Sequence, residues 1–275
     1  MPGMLYLVPT PIGNLGDIST RCREILAQAD FIAAEDTRVT LKLLNHLELK
    51  KPLVSYYEHN KAARSGRILE RIQAGEVCAL VSDAGSPAIS DPGEDLVRQC
   101  AELGISVSAI PGPCAVITAL SISGLPTGRF TFEGFLSTAK KSRVQHLDAL
   151  RGETRTMVFY EAPHKLLATL EDMAAVFGPE RRISLCRELT KLHEEVLRTT
   201  LGEAADRYRQ TPPKGEFVLV LAGAAPKSTP ACTLEEATQR AQALMEGGLS
   251  RKDAARQAAQ ETGLPKNAIY DATLS

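Results

Sequence analysis

Residues 77–93 read VCALVSDAGSPAISDPG: an apolar run, Val77 to Val81, then a turn of small residues carrying two aspartates and two prolines. A short apolar run that stops at turn residues has the pattern of a buried strand. In an open α/β sheet, ligands lie outside the carboxyl ends of such strands, where loops vary and main-chain N–H groups face a crevice. The stretch from Ser82 to Gly93 occupies that place. Ala84 and Gly85 would let a ligand touch the main chain, and Asp83, Ser86 and Ser90 add short polar groups. A long turn that only caps the helix after Pro92 is the competing reading.

On both sides of this stretch, short β-rich runs alternate with single amphipathic helices. MLYLV, FIAAE, LVSYY, VCALV and ISVSAI are separated by helical patterns near 19–29, 38–46, 60–74 and 94–103, and a small-residue helix follows from Pro113. Strands joined by single helices imply crossover connections and a mostly parallel sheet covered on both faces. Residues 1–122 are therefore read as one α/β domain. SGLPTGRF (Ser123–Phe130) has Gly and Pro without periodicity and serves as the linker. FTFEGF, TMVFYE, RISLCRE, EEVLRTT and FVLVLAG then supply strands that follow one another in pairs, so residues 123–224 are expected to form a second α/β domain with a mixed sheet. AAPKSTP (Ala224–Pro230) marks a joint. The remainder, within 225–275, has no strand pattern. A helix capped by Ser250 and ended by Gly263, with Ala255, Ala258 and Ala259 on one face, precedes a second helix from Pro265 carrying Ile269, Tyr270 and Leu274. Such a pair fits a helix-turn-helix, or a plain helical hairpin used as an appendage or dimer contact.

Composition excludes several classes. The 275 residues carry 32 basic and 33 acidic side chains, a formal charge of −1, so contact with a polyanion must come from local patches. The six cysteines include no CxxC pair and no clustered histidines accompany them, which argues against a zinc site or other metal centre and against a disulfide framework. Every apolar run is broken by Pro, Gly or charge before membrane-spanning length and no leader pattern precedes the first strand, so a soluble, cytoplasmic protein is expected.

Two more strand-end loops resemble the opening one in character: PTPIGNLGDIST (Pro9–Thr20) and PGPCA (Pro111–Ala115). Neither GxGxxG nor GxxxxGK[ST] occurs, which removes the main support for dinucleotide and nucleoside-triphosphate readings. The three loops hold few cations and suit a ligand held by main-chain hydrogen bonds and apolar contact.

PIGNLGD, VSDAGSPAISDPG and PGPCA, followed by FEGFL, VFYEAPHK, RELTKLHEE and GEFVLVL, resemble the tetrapyrrole-methylase superfamily of S-adenosylmethionine-dependent class III methyltransferases. Within it, EDTRVT (Glu35–Thr40), SYYEHN (Ser55–Asn60) and the helical tail are similar to the bacterial 16S (small-subunit) ribosomal RNA 2′-O-ribose methyltransferase I family. The resemblance implies two α/β domains with S-adenosyl-L-methionine between them, a homodimer, and methylation of a cytidine ribose in the decoding region of 16S ribosomal RNA, within the small subunit. It implies cofactor contacts at Leu15, at Asp83, Ala84, Gly85, Ser86 and Ile89, and at Cys114 and Ala115. From the second domain it implies contacts at Phe159, Tyr160, Glu161, Leu189, Gly215 and Glu216. One departure stands out: many tetrapyrrole methylases carry Gly-Asp-Pro where this chain has Gly85-Ser86-Pro87, leaving Asp83 to take over the ribose contact.

A ribose hydroxyl is a weak nucleophile, so a base near it would help remove its proton. Asp36, Glu58 and His59, just past the second and third strands, are the candidates, with Arg38 beside Asp36. Each has a plain alternative: Asp36 as a helix cap paired with Arg38, His59 as a cap or packing residue. Glu161 and His164 likewise stand where they could cap the helix from Pro163. RNA phosphates are assigned to Lys140, Lys141 and Arg143 of STAKKSR, with Lys61, Arg64, Arg67 and Arg71 as a second basic face, although charge runs on helices are usually solvated surface. Tyr56 and Tyr57 are read either as stacking partners for a splayed base or as strand core. The rival functions are a methylase of a small tetrapyrrole or a protein side-chain derivative on the same fold, and a nucleic-acid-binding helix-turn-helix regulator.

Overall fold

The computed structural model describes residues 3–58, 60–225 and 232–274. β1 (Met4–Leu7), β2 (Phe31–Ala34), β3 (Leu53–Ser55), β4 (Val77–Val81) and β5 (Ser106–Ala109) form one sheet in the order β3-β2-β4-β1-β5. All of its pairs are parallel, as the strand–helix alternation implies. Helices α1 (Thr20–Gln28) and α2 (Thr37–His46) bury one face of this sheet, and α3 (Lys61–Gln73) and α4 (Glu94–Glu102) bury the other. β2 is buried along its whole length, which is why FIAA reads as continuous apolar sequence rather than as an alternation. The boundaries follow local chemistry: the Ser19 side chain accepts the Cys22 N–H to start α1, and Asp36 accepts the Arg38 N–H to start α2.

α5 (Ala115–Ile122) leads to a second sheet of β6 (Phe130–Phe135), β7 (Thr156–Glu161), β8 (Arg182–Arg187), β9 (Glu195–Thr200) and β10 (Phe217–Leu221). Its order is β6-β7-β10-β8-β9, with β6 and β7 parallel and the remaining pairs antiparallel. α6 (Lys140–Ala149), α7 (Pro163–Phe177) and α8 (Leu201–Gln210) cover one face. α5 covers the other, where Val116, Ala119 and Leu120 pack on Val158, Val218 and Val220. α5 therefore follows the first sheet in sequence and buries its apolar face on the second. Fully burying a Leu, Ile or Phe side chain contributes roughly 1.5–3 kcal/mol, so the two sheet cores supply the stability that lets the strand-end loops adopt unusual conformations.

Residues from 225 onward form a second unit. α9 (Leu234–Glu246), α10 (Arg251–Thr262) and α11 (Lys266–Ala272) pack around Ala237, Ala241, Ala255, Ala258 and Ile269. The expected caps are present: Ser250 accepts the Asp253 N–H, and Gly263 ends α10 in the left-handed region. The expected face of α10 is the one that packs: Ala255 and Ala258 are buried in this core and Ala259 packs against it, with Ala254 buried as well. α9, started by a capping box between Thr233 and Glu236, is an element the sequence reading lacked.

Candidate active site

Loops from the two sheets enclose a cleft of about 420 Å³. On the first sheet it lies at the carboxyl ends of β2, β4 and β5 and takes Ile12 from the loop after β1. On the second it lies along one edge where β7 ends, β8 ends and β10 begins, because Phe217 pairs with both Glu161 and Arg187.

The three bare loops do converge. Thr10 and Gly85 exchange main-chain hydrogen bonds of 2.9 and 3.0 Å, and the Thr10 hydroxyl donates to the Ser82 carbonyl. The Ser86 hydroxyl donates to the carbonyl of Pro113, tying in the third loop. Both polar main-chain groups of Gly85 are thus engaged within the protein, so what Gly85 offers the cleft is its missing side chain. Its φ of +86° favours glycine, and a Cβ there would lie 3.3 Å from the Ile12 methyl. Ala88 and Ser90 of the same loop, and Glu188 and Thr190 on either side of Leu189, also have positive φ, a conformation held by surrounding structure rather than by preference.

Of the positions expected to meet a cofactor, Asp83, Ala84, Gly85, Ser86, Ile89, Cys114, Ala115, Tyr160, Glu161, Leu189 and Glu216 line the cleft. Three do not. Leu15 sits half exposed on a short 3₁₀ turn away from the lining, and Phe159 points into the core on the far face of the second sheet. Strand alternation gives the cleft to Tyr160 and the core to Phe159. Gly215 acts beneath the wall, because a Cβ at its φ of +86° would overlap the Glu188 side chain.

Among the described lining residues there is no Lys, Arg or His, and there are five carboxylates. Two have cationic partners outside the lining: Glu161 pairs with Lys165 at 3.1 Å, and Glu216 with Lys191 at 2.9 Å. Glu161 is buried and also accepts the Thr169 hydroxyl and the Ala162 N–H, so it anchors the start of α7 while forming wall. The other three, Glu35, Asp83 and Asp91, gather at the ends of β2 and β4. The Asp36 N–H donates to Asp83 at 3.0 Å and the Asp83 N–H donates to Glu35 at 3.4 Å, lacing the two strand ends together. Burial raises all three from their ordinary values, helped by repulsion from Asp83 and Asp36 at Glu35, from Asp36 at Asp83, and from Glu35 and Asp83 at Asp91. Asp91 is pushed up to about 6, by burial first and by the Glu35 charge next, against the Ser82 hydroxyl.

The expected proton acceptors are placed otherwise. Asp36 caps α2 and is chelated by the Arg38 guanidinium, which holds its carboxyl down at about 2; neither residue lines the cleft. Glu58 is exposed and paired with Lys61, and His59 lies outside the described residues. Glu35 and Asp91, the carboxylates actually in the cleft, were not singled out from sequence. Glu35 adjoins the candidate Asp36, and Asp91 lies in the Ser82–Gly93 loop, whose polar groups read from sequence are Asp83, Ser86 and Ser90.

The basic candidates divide. Arg143 is buried, 2.7 Å from Asp172, and donates to the carbonyls of Ser137 and Thr138; this corrects its assignment to RNA, since the residue is buried and each of its side-chain nitrogens is engaged within the protein. Lys140 and Lys141 on the same helix are exposed. Lys61 is held by Glu58 and Asp95, Arg71 by Glu76 and the Phe31 ring, whereas Arg64 and Arg67 are exposed. Tyr56 is fully buried core, and Tyr57 is partly exposed.

Residues 4–205 match the family described as tetrapyrrole (corrin/porphyrin) methylases, and residues 233–275 match the RsmI C-terminal HTH domain. The protein named ribosomal RNA small subunit methyltransferase I from Synechocystis sp. is 51% identical over 272 residues, covering 99% of this chain and 98% of that one. The chain belongs to that methyltransferase family. Relatives of the same name from Halalkalibacterium halodurans and Escherichia coli O157:H7 are each 47% identical, covering 98% of this chain and 94% and 93% of theirs. Solved structures carry the same fold at lower identity. Cobalt precorrin-4 methyltransferase is 16% identical with a TM-score of 0.59, covering 79% of this chain and 94% of its own. Uroporphyrin-III C-methyltransferase from Thermus thermophilus, complexed with S-adenosylhomocysteine, is 17% identical with a TM-score of 0.57, covering 80% of this chain and 97% of its own. Among the described residues no helix is long and apolar enough to cross a membrane.

Proposed function

We propose that this protein transfers the methyl group of S-adenosylmethionine to the 2′-hydroxyl of a cytidine ribose in the decoding region of 16S ribosomal RNA. The observation that carries the reading is the chemistry of the cleft: bare main chain and carboxylates on one wall, and no cation among the described lining residues. A cationic sulfonium is favoured beside carboxylates and main-chain carbonyls and disfavoured beside Lys or Arg. The names of the full-length relatives support ribosomal RNA as the substrate, and the first turn of α5, opening at Cys114 and Ala115, suits the carboxylate of a methionyl group. Asp83 to Ser86, Ala115 and Leu189 would hold the cofactor, which supplies an electrophilic methyl group on a good leaving sulfur.

What remains for the protein is to align the acceptor oxygen, exclude water and receive a proton. We assign the proton to Asp91, a carboxylate in the cleft whose raised affinity for protons suits a base working near neutrality. As the ribose oxygen bonds to the methyl carbon and the carbon–sulfur bond breaks, the hydroxyl proton passes to the Asp91 carboxylate. The test is incubation with tritiated S-adenosylmethionine and small ribosomal subunits lacking the modification, followed by nuclease digestion. Label in 2′-O-methylcytidine from the decoding region is expected; label in a base, a protein or a tetrapyrrole would overturn the assignment.

A further inference from the structure

β6 contains an irregularity with one consequence for the cleft. Thr131 pairs with Met157 and Phe132 with Val158, but the next partner, Phe159, is met by Gly134, so Glu133 is an extra residue. Gly134 has φ +65°, the left-handed conformation of a glycine bulge. In an unbroken strand, position 135 would share the face of Thr131 and Met157 and enter the core beneath α6 and α7. The bulge reverses the alternation. Phe135 now pairs with Tyr160 and stands on the cleft face, and Leu136 takes the core position.

The cost is a large aromatic ring left 56% exposed at the cleft. It is nevertheless held. Its centroid is 5.3 Å from that of Tyr160, which in turn contacts Phe132 at 5.0 Å, and Lys165 Nζ lies 5.6 Å from the Phe135 centroid. Across the gap, a Cβ on Gly134 would come 3.5 Å from the Ser90 hydroxyl, so the bulge abuts the loop that carries Asp91. An exposed ring packed on Tyr160, with the Glu161-paired Lys165 amine nearby and Asp91 lining the same cleft, has the chemistry of a base-stacking platform, because every nucleobase has a π-face and single-stranded recognition uses such rings.

We propose that Phe135 is the platform on which the base of the target nucleotide stacks while its ribose faces Asp91. The inference rests on the RNA-methylation reading above and adds how the nucleotide is held. The carboxylates around the cleft repel phosphates, so a single splayed nucleoside enters while its flanking phosphates stay outside. The alternative occupant of the ring is the adenine of the cofactor, and the test separates the two.

Wild type and the variants Phe135→Ala and Phe135→Trp are titrated calorimetrically with S-adenosylhomocysteine and assayed for methyl transfer to unmodified small subunits. Phe135→Ala is expected to bind S-adenosylhomocysteine within about twofold of wild type and to lose roughly 5- to 150-fold in kcat/KM for subunits, the range for losing one stacked base. Phe135→Trp should restore most of that loss. Unchanged kcat/KM in Phe135→Ala overturns the platform alone. A parallel loss of S-adenosylhomocysteine affinity also overturns it and assigns the ring to the adenosyl pocket. No transfer to RNA by the wild type removes the methylation reading and the platform with it.

Discussion

The first sheet meets the cleft with main chain and three carboxylates that lack a cationic partner at salt-bridge distance among the described residues, delivered by loops at the ends of parallel strands, whereas the second meets it with aromatic and aliphatic side chains and two carboxylates paired to Lys165 and Lys191, along one edge of a mixed sheet. The first wall owes its character to residues that lack side chains or carry short ones. Its loops are locked to each other by Thr10–Gly85 and Ser86–Pro113 hydrogen bonds, so its shape is set before any ligand arrives. The second wall owes its character to strand alternation and to a bulge that overrides it at Phe135. One wall is suited to holding a small cationic cofactor and the other to presenting a flat surface to a base, and substitutions can separate the two roles.

The largest effect is expected from filling the first wall. Gly85→Arg places a long side chain at φ +86° against Ile12 and should reduce S-adenosylhomocysteine affinity by at least about 100-fold in a calorimetric titration, about 2.7 kcal/mol. Near-normal affinity in that variant would break the assignment of the wall. Next is the proton acceptor. Asp91→Asn should lower kcat by about 100- to 10,000-fold with little change in cofactor affinity, the range for loss of a general base.

The pH dependence sharpens the same point. The Asp91 carboxyl, raised in the folded protein to about 6, must be ionised to accept a proton, so wild-type kcat should climb as pH rises through about 6 and then level. A folded pKa above the unfolded value means that the neutral carboxyl favours folding, and that this contribution is lost as pH rises through about 6. Asp91→Asn should therefore melt above wild type at pH 8 and lose that advantage at pH 4, which differential scanning calorimetry measures.

Arg143→Ala probes a residue outside both walls. It should destabilise the fold by about 3–5 kcal/mol in urea titration by leaving the buried Asp172 with only the exposed Lys140, 3.9 Å away, as a cationic partner. Lys140→Ala and Lys141→Ala should leave stability within about 0.5 kcal/mol. The smallest effect on the cofactor is expected from removing residues 226–275: the cleft residues all precede 225, so S-adenosylhomocysteine affinity should change by less than about twofold in the same titration.

The layout of both sheets is legible in the sequence because crossover helices and apolar strands have different periods, and the caps at Ser19, Ser250 and Gly263 mark their helices locally. The first wall is legible for a related reason: bare residues after a buried strand have few other uses. The second wall is harder. Its strand FTFEGF alternates only as far as Glu133, and it takes the left-handed Gly134 to return Phe135 to the face of Phe130 and Phe132 rather than to the core. Between Phe159 and Tyr160, the choice depends on which face the alternation starts. Arg143 looks like surface charge until Asp172, 29 residues later, is brought against it by the packing of α7 on α6. Glu35 and Asp91 gain their proton affinity from being buried together by loops distant in sequence, a property that no local motif carries.

Crystals grown with S-adenosylhomocysteine test the central claim most directly. The sulfur is predicted to lie within the cleft between the Asp83–Ser86 turn and the wall formed by Tyr160 and Leu189, with no basic side chain against it. Density for the ligand elsewhere on the protein, or a sulfur set beside Lys165 or Lys191, would contradict it.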